Sequence, residues 1–257
     1  MPYVTLFQRS RKPQAAARQR LEIDMRGTVV YAIGDVHGCY KELRALEQKI
    51  LLDSAPFEGR KLIIMLGDYV DRGPQSARVL DHLLAPPLHG FQRICLAGNH
   101  EVVMLNYLDG IISRESWLAI GGLQTLFSYG VDPSRMADLY GSSEEVDKRI
   151  REVIPADHIS FMRALPVMVC SAKFVFVHAG IRPGIDLAAQ DEDDLLNIRS
   201  DFFDAAHLLD RYVVHGHTPV EFPKLEGRRL GIDTGAFQSG QLTALRIVDN
   251  RARLIFS

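Results

Sequence analysis

Acidic, imidazole and amide side chains gather in five short turns of this 257-residue chain: Gly34-Asp35-Val36-His37-Gly38, Gly67-Asp68-Tyr69-Val70-Asp71-Arg72-Gly73, Gly98-Asn99-His100-Glu101, His178-Ala179-Gly180 and His215-Gly216-His217-Thr218. Any one alone is weak, because Gly and Asp are common in turns and a single His178 reads as an ordinary buried histidine. Together they offer carboxylates, imidazoles and one amide oxygen, a donor set that suits divalent metals better than any other partner.

The elements that must position them are legible as apolar, β-branched runs just before each turn: Val29–Ile33, Leu62–Leu66, Ile94–Ala97, Phe174–Val177 and Tyr212–Val214. Ligands at strand ends are what an α/β sheet presents at its binding edge. The first half alternates strand (Thr28–Ile33, Lys61–Leu66, a third ending at Ala97) with helix. The helices are Tyr40–Leu52, one opened by Pro74 and stopped before Pro86-Pro87, and one starting at Asn99 or His100. This βαβαβ order predicts a parallel core. Residues 111–165 interrupt it with helical stretches, Trp117 and Gly121-Gly122, and read as an insertion near the site, a lid or specificity element. From Val167 onward strands dominate, with a hairpin expected at Asp249-Asn250. Two sheets packed face to face with helices outside are the expected layout.

The motifs span Asp35 to His217, so residues 27–257 read as one domain behind a basic arm, residues 1–26, mobile or loosely docked and carrying six Arg and Lys. A net charge of −2 gives no reason to expect nucleic-acid or membrane binding. No apolar stretch approaches the roughly 20 residues of a membrane span. Cys39, Cys95 and Cys170 lack a Cys-x-x-Cys spacing and suit reduced thiols, so a cytoplasmic location is expected.

Gly-Asp-x-x-Asp-Arg-Gly followed by Gly-Asn-His-Glu resembles the signature of the PPP-type phosphoprotein phosphatases within the calcineurin-like metallophosphoesterases, especially their short bacterial and phage members. The resemblance runs from about Val29 to about Gly235. It implies an α/β four-layer sandwich, two mixed sheets flanked by helices. It puts Asp35 and His37 on a first metal, Asp68 between both ions, and Asn99, His178 and His217 on the second. Mn²⁺ is the first expectation, with Fe or Zn²⁺ compatible. Two ions roughly 3.5–4 Å apart can share a hydroxide and aim it at phosphorus. Arg72 and Arg199 match phosphate clamps, suited by the planar guanidinium fork. His100 is expected as general acid, with Asp71 holding its imidazole in the right tautomer.

The resemblance therefore implies a metal-dependent phosphatase acting on phosphoserine or phosphothreonine in a protein or peptide partner, with phosphotyrosine as a secondary substrate. The alternative is hydrolysis of dinucleoside polyphosphates or other nucleotides. Bacterial diadenosine tetraphosphate hydrolases share the His-Ala-Gly and Gly-His-Thr turns, but carry Asp where this chain has Glu101. A non-catalytic binding module is disfavoured, because such proteins normally lose at least one of these residues.

Overall fold

The computed structural model describes residues 17–249 and 251–257. Eleven strands are formed among them: β1 Arg20–Glu22, β2 Thr28–Ile33, β3 Arg60–Met65, β4 Phe91–Cys95, β5 Met168–Cys170, β6 Phe174–Val177, β7 Tyr212–His215, β8 Leu225–Glu226, β9 Arg229–Gly231, β10 Thr243–Val248 and β11 Arg251–Phe256. They make two mixed sheets, a five-stranded one in the order β11-β10-β2-β3-β4 and a six-stranded one in the order β1-β5-β6-β7-β9-β8. β2, β3 and β4 are parallel neighbours, joined through helices α1 Tyr40–Ser54 and α2 Ser76–Leu84. The third helix, α3 Asn99–Leu108, follows β4.

All six residues of β2 are buried, because both faces of this strand are covered. Val30, Ala32, Leu62, Ile64, Val169, Phe176 and Val214 point between the sheets. Their alternates Val29, Tyr31, Ile33, Ile63 and Met65 pack outward against Leu43, Leu46 and Ile50 of α1 and Val79, Leu80 and Leu83 of α2. The period-2 register thus feeds two cores from one strand, which is why these strands read as continuous apolar runs. Leu51, which the helical spacing groups with the apolar face of α1, is instead exposed.

The sandwich and parallel core match expectation, with two differences in where elements begin and end. The second helix begins at Ser76 rather than Pro74, because Asp71 to Gln75 form a tight turn in which the Gly73 N–H reaches the Asp71 carbonyl. The basic arm ends earlier than residue 26. β1 pairs in parallel with β5, and the Arg18 guanidinium donates to the carbonyls of Met162 and Leu165. Residues 1–16 of that arm, and Asn250 of the expected hairpin turn, lie outside the described residues, although β10 and β11 pair as predicted. Residues 111–165 form a run of short helices packed on α2 and α3. Among the described residues no helix is long and apolar enough to cross a membrane.

Candidate metal centre

The five turns meet at one end of the two sheets, at the carboxyl ends of β2, β3, β4, β6 and β7. Their backbone is unusual. His37, Asp68, Asp71, Arg72 and His217 all have positive φ, between 42° and 70°, a region that residues with a Cβ rarely enter. Such strain persists only where the surroundings over-determine it. Here the Val36 and His37 N–H groups both donate to the Asp68 carbonyl, and the buried Glu101 carboxylate accepts from the N–H groups of Gly98, Asp68, Tyr69 and Val70. Glycine is required where chains touch. A Cβ on Gly98 would stand 2.1 Å from Asp68 Oδ1, and one on Gly216 would stand 1.9 Å from Asp35 Oδ1.

Asp68 is the centre. Its Oδ2 lies 3.4 Å from His37 Nε2 and 3.9 Å from His100 Nε2, while its Oδ1 lies 3.4 Å from His178 Nε2. Two clusters of candidate ligands share it: His37, Asp68 and His100 on one side, Asp68, His178 and His217 on the other. Asn99 Oδ1 lies 2.9 Å from both His178 Nε2 and His217 Nδ1. Asp35 stands at the margin, with Oδ2 accepting the His217 N–H at 2.9 Å.

A divalent cation fits these residues. Asp35 Oδ1 and His37 Nε2 are buried without a hydrogen-bond partner, which is costly unless something electrophilic meets them. His37 Nδ1 and His178 Nδ1 are each tied to a backbone carbonyl, Val70 and Leu66, so that Nε2 faces the cluster. Ligand imidazoles are oriented this way. Burial holds the His37 and His217 imidazoles neutral, at about 3, and neutral imidazole is the ligating form. Burial beside Asp233 and Asp68 pushes the Asp35 carboxyl up, so three buried acids share one small volume. Asp68 is held well below the usual range, since three imidazoles outweigh its burial.

Beside this cluster lies a different arrangement. The buried Asp71 carboxylate accepts from His100 Nδ1 at 2.8 Å, Trp117 Nε1 at 3.1 Å and Thr125 Oγ1 at 2.8 Å. Burial opposes the charged form of His100, but Asp68 and Asp71 outweigh it and raise its pKa. The two expected clamps differ in setting. Arg72 stacks over the Phe237 ring at 5.1 Å, and Phe237 also meets His37 edge-on. Arg199 is exposed, and its charge works against protonation of His178 and His217. Arg182, four residues after His178, is taken up by Asp194 and Asp201.

All ten sequence-expected residues are therefore near one another, and sequence reasoning passed over others. Asp233 was legible, because Gly231-Ile232-Asp233-Thr234-Gly235 is another acidic turn after a strand. Its carboxyl is buried and pushed up to about 6, and it accepts the Gly235 N–H. Thr125 and Phe237 carry no local signal. Trp117, in the inserted segment, is fully buried.

Two sheets with acid and histidine turns at their common edge define a metallophosphoesterase. The chain belongs to the calcineurin-like phosphoesterases, whose family model matches residues 28–257. The bis(5'-nucleosyl)-tetraphosphatase PrpE [asymmetrical] of Geobacillus thermodenitrificans is 30% identical over 236 residues, covering 83% of this chain and 88% of that protein. The protein of the same description from Bacillus subtilis (strain 168) is likewise 30% identical with the same coverage. Among solved structures, a putative diadenosine tetraphosphatase superposes with a TM-score of 0.62 at 19% identity, covering 93% of this chain and 98% of that one. A serine/threonine phosphatase from Saccharomyces cerevisiae gives 0.57 at 16% identity, covering 94% and 84%.

Proposed function

We propose that the protein is a divalent-metal-dependent phosphohydrolase whose substrates are dinucleoside polyphosphates. The observation that carries the hydrolytic reading is Asp68 standing between two clusters of imidazoles, with unpartnered Asp35 and His37 atoms facing inward. Asp35, His37, Asp68, Asn99, His178 and His217 would hold two cations, Mn²⁺ being our first choice. Such ions supply Lewis acidity to a phosphoryl oxygen and acidify water beside it.

The chain's own residues do the rest. Arg72 and Arg199 neutralise the non-bridging oxygens, where charge spreads during phosphoryl transfer. Arg72, with its guanidinium backed by Phe237, is the pre-oriented clamp, while Arg199 acts from an exposed position. As a water oxygen adds to phosphorus and the P–O bond to the leaving group breaks, that bond's electron pair goes to the leaving oxygen, which takes the proton from His100 Nε2. Asp71 accepts the Nδ1 proton, and its charge with that of Asp68 favours the imidazolium, in which Nε2 carries the second proton to be donated.

Dinucleoside polyphosphates lead as substrate because the tetraphosphatase relatives align along most of both chains. This reverses the preference that the phosphatase-type signature alone suggests. A second reading, phosphoserine or phosphothreonine in proteins, is favoured by the His100–Asp71 pair. A serine alkoxide is a strong base and needs a proton as it leaves, more than a departing nucleotide phosphate does.

Initial rates with Mn²⁺ on diadenosine tetraphosphate and on a phosphothreonine peptide, side by side, test this. Conversion of the dinucleotide to a nucleoside monophosphate and triphosphate at the higher kcat/KM is expected. Preference for the peptide would establish the second reading instead, and no cation-dependent turnover of either would refute both. With the preferred substrate, His100→Asn should lower kcat by about 10²–10⁴-fold.

A further inference from the structure

We propose that the first part of the inserted helices, residues 113–128, is a brace that holds the proton donor and one phosphate clamp in position, with Trp117 and Thr125 as positioning residues. This rests on the general-acid role assigned above to His100.

The contacts are specific. Thr125 Oγ1 donates to Asp71 Oδ1 at 2.8 Å and accepts the Asp71 N–H at 2.8 Å, so one hydroxyl fixes both ends of that residue. Ser76 Oγ closes the ring, 3.0 Å from the same hydroxyl and 3.2 Å from the Asp71 nitrogen. Trp117 Nε1 lies 3.1 and 3.2 Å from the two carboxylate oxygens, and the indole stacks on Tyr107 of α3 at 4.9 Å. With His100 on Oδ2, the carboxylate is held from three directions by buried groups. The next residue is gripped as well, since the Arg72 N–H donates to the Gly121 carbonyl at 3.0 Å.

These grips fall on the two consecutive non-glycine residues with left-handed backbone, Asp71 at φ 70° and Arg72 at φ 67°. A pair in that region relaxes unless the surroundings hold it. The insertion is itself shaped for the task. Its helix kinks at Gly121 (φ 116°), where a Cβ would stand 2.9 Å from the Arg72 nitrogen. A Cβ on Gly122 would stand 2.6 Å from the indole ring. The two glycines let the chain press against Arg72 on one side and Trp117 on the other. A lid needs freedom from the catalytic groups, and this segment has none.

The test is the low-field Nδ1–H resonance of His100 together with steady-state kinetics, on protein loaded with diamagnetic Zn²⁺ for the spectra and Mn²⁺ for the rates. The resonance is assigned by its loss in His100→Asn. In Thr125→Val and Trp117→Phe it should move upfield and exchange faster with solvent, with kcat on the preferred substrate falling on the order of 10-fold and KM unchanged. Thr125→Ser should restore both. Trp117→Phe keeps the stacked ring, so it serves if Thr125→Val does not fold. An unmoved resonance in both variants would overturn the proposal, whether or not kcat falls, since a loss without it is ordinary packing. If His100→Asn itself turned over normally, the general-acid reading would fail, and the resonance alone would still judge the brace.

Discussion

Asp68 and Asp71 lie three residues apart in one turn, both buried and both in left-handed backbone, yet their surroundings are opposite. Imidazole nitrogens of His37, His178 and His100 stand 3.4 to 3.9 Å from Asp68, beyond ordinary hydrogen-bond length, while the backbone N–H of His100 donates to Asp68 Oδ1 at 3.1 Å. Donors around Asp71 stand at 2.8 to 3.2 Å and complete its coordination. The first carboxylate is built for something that comes from outside the chain. The second is finished by the chain itself. A buried carboxylate without such partners is expensive, and the two solutions are a cation or a full set of donors.

The sharpest way to break this comparison is to neutralise each acid in turn. Asp68→Asn should abolish cation-dependent turnover, and weaken cation binding by more than the roughly 100-fold typical of losing an outer-shell partner. Asp71→Asn should lower kcat while leaving cation affinity, read by isothermal titration, near that of the wild type. Equal loss of cation affinity in both would show that the two acids belong to one electrostatic unit and end the distinction.

Stability gives a second, smaller test. A cation that binds only the folded chain, present at 100 times its Kd, stabilises by about 2.7 kcal/mol, or about 5–10 °C in Tm for a domain of this size. Chelation should therefore lower the calorimetric Tm by that amount. Asp68→Asn should abolish the response, and Thr125→Val should keep it despite a lower starting Tm. A chelation response missing from the wild type would place the Asp68 cluster among ordinary buried networks.

How far these features could be read from sequence follows the same divide. Every group around Asp68 comes from a strand-end turn, and each turn announces itself through a preceding β-branched run, so Asp35, His37, Asp68, Asn99, His178 and His217 were visible in one pass. Asp71 and His100 were visible for the same reason. Their supporters Trp117 and Thr125 lie 46 and 54 residues beyond Asp71, on helices whose spacing says only that they are helices. Tertiary placement alone brings them in. β1 was hidden differently. Arg20-Leu21-Glu22 has one apolar residue between two charges, and an edge strand of three residues offers no periodicity to detect.

The smallest expected effect concerns the three thiols, and it reports on rigidity at both edges of the site. Burial pushes the Cys95 thiol up to about 12, and burial with Glu42 nearby does the same for Cys39. At pH 8 a thiol with that pKa is ionised to about one part in 10⁴, so it reacts with disulfide reagents only when the chain opens. Cys170 is partly exposed, its Sγ donating to the Leu21 carbonyl of β1, and should be the one thiol labelled quickly in the native protein. Cys39 is the informative exception to watch. Its Sγ contacts the His37 carbonyl, so its labelling rate measures how often the turn carrying His37 comes apart. A cation bound at Asp68 should slow that rate, because it ties His37 to the opposite side of the cluster. Thr125→Val should leave the rate unchanged, since the brace acts on Asp71 and not on that turn. Equal acceleration of Cys39 labelling by chelation and by Thr125→Val would mean that the two regions open together, as one cooperative unit.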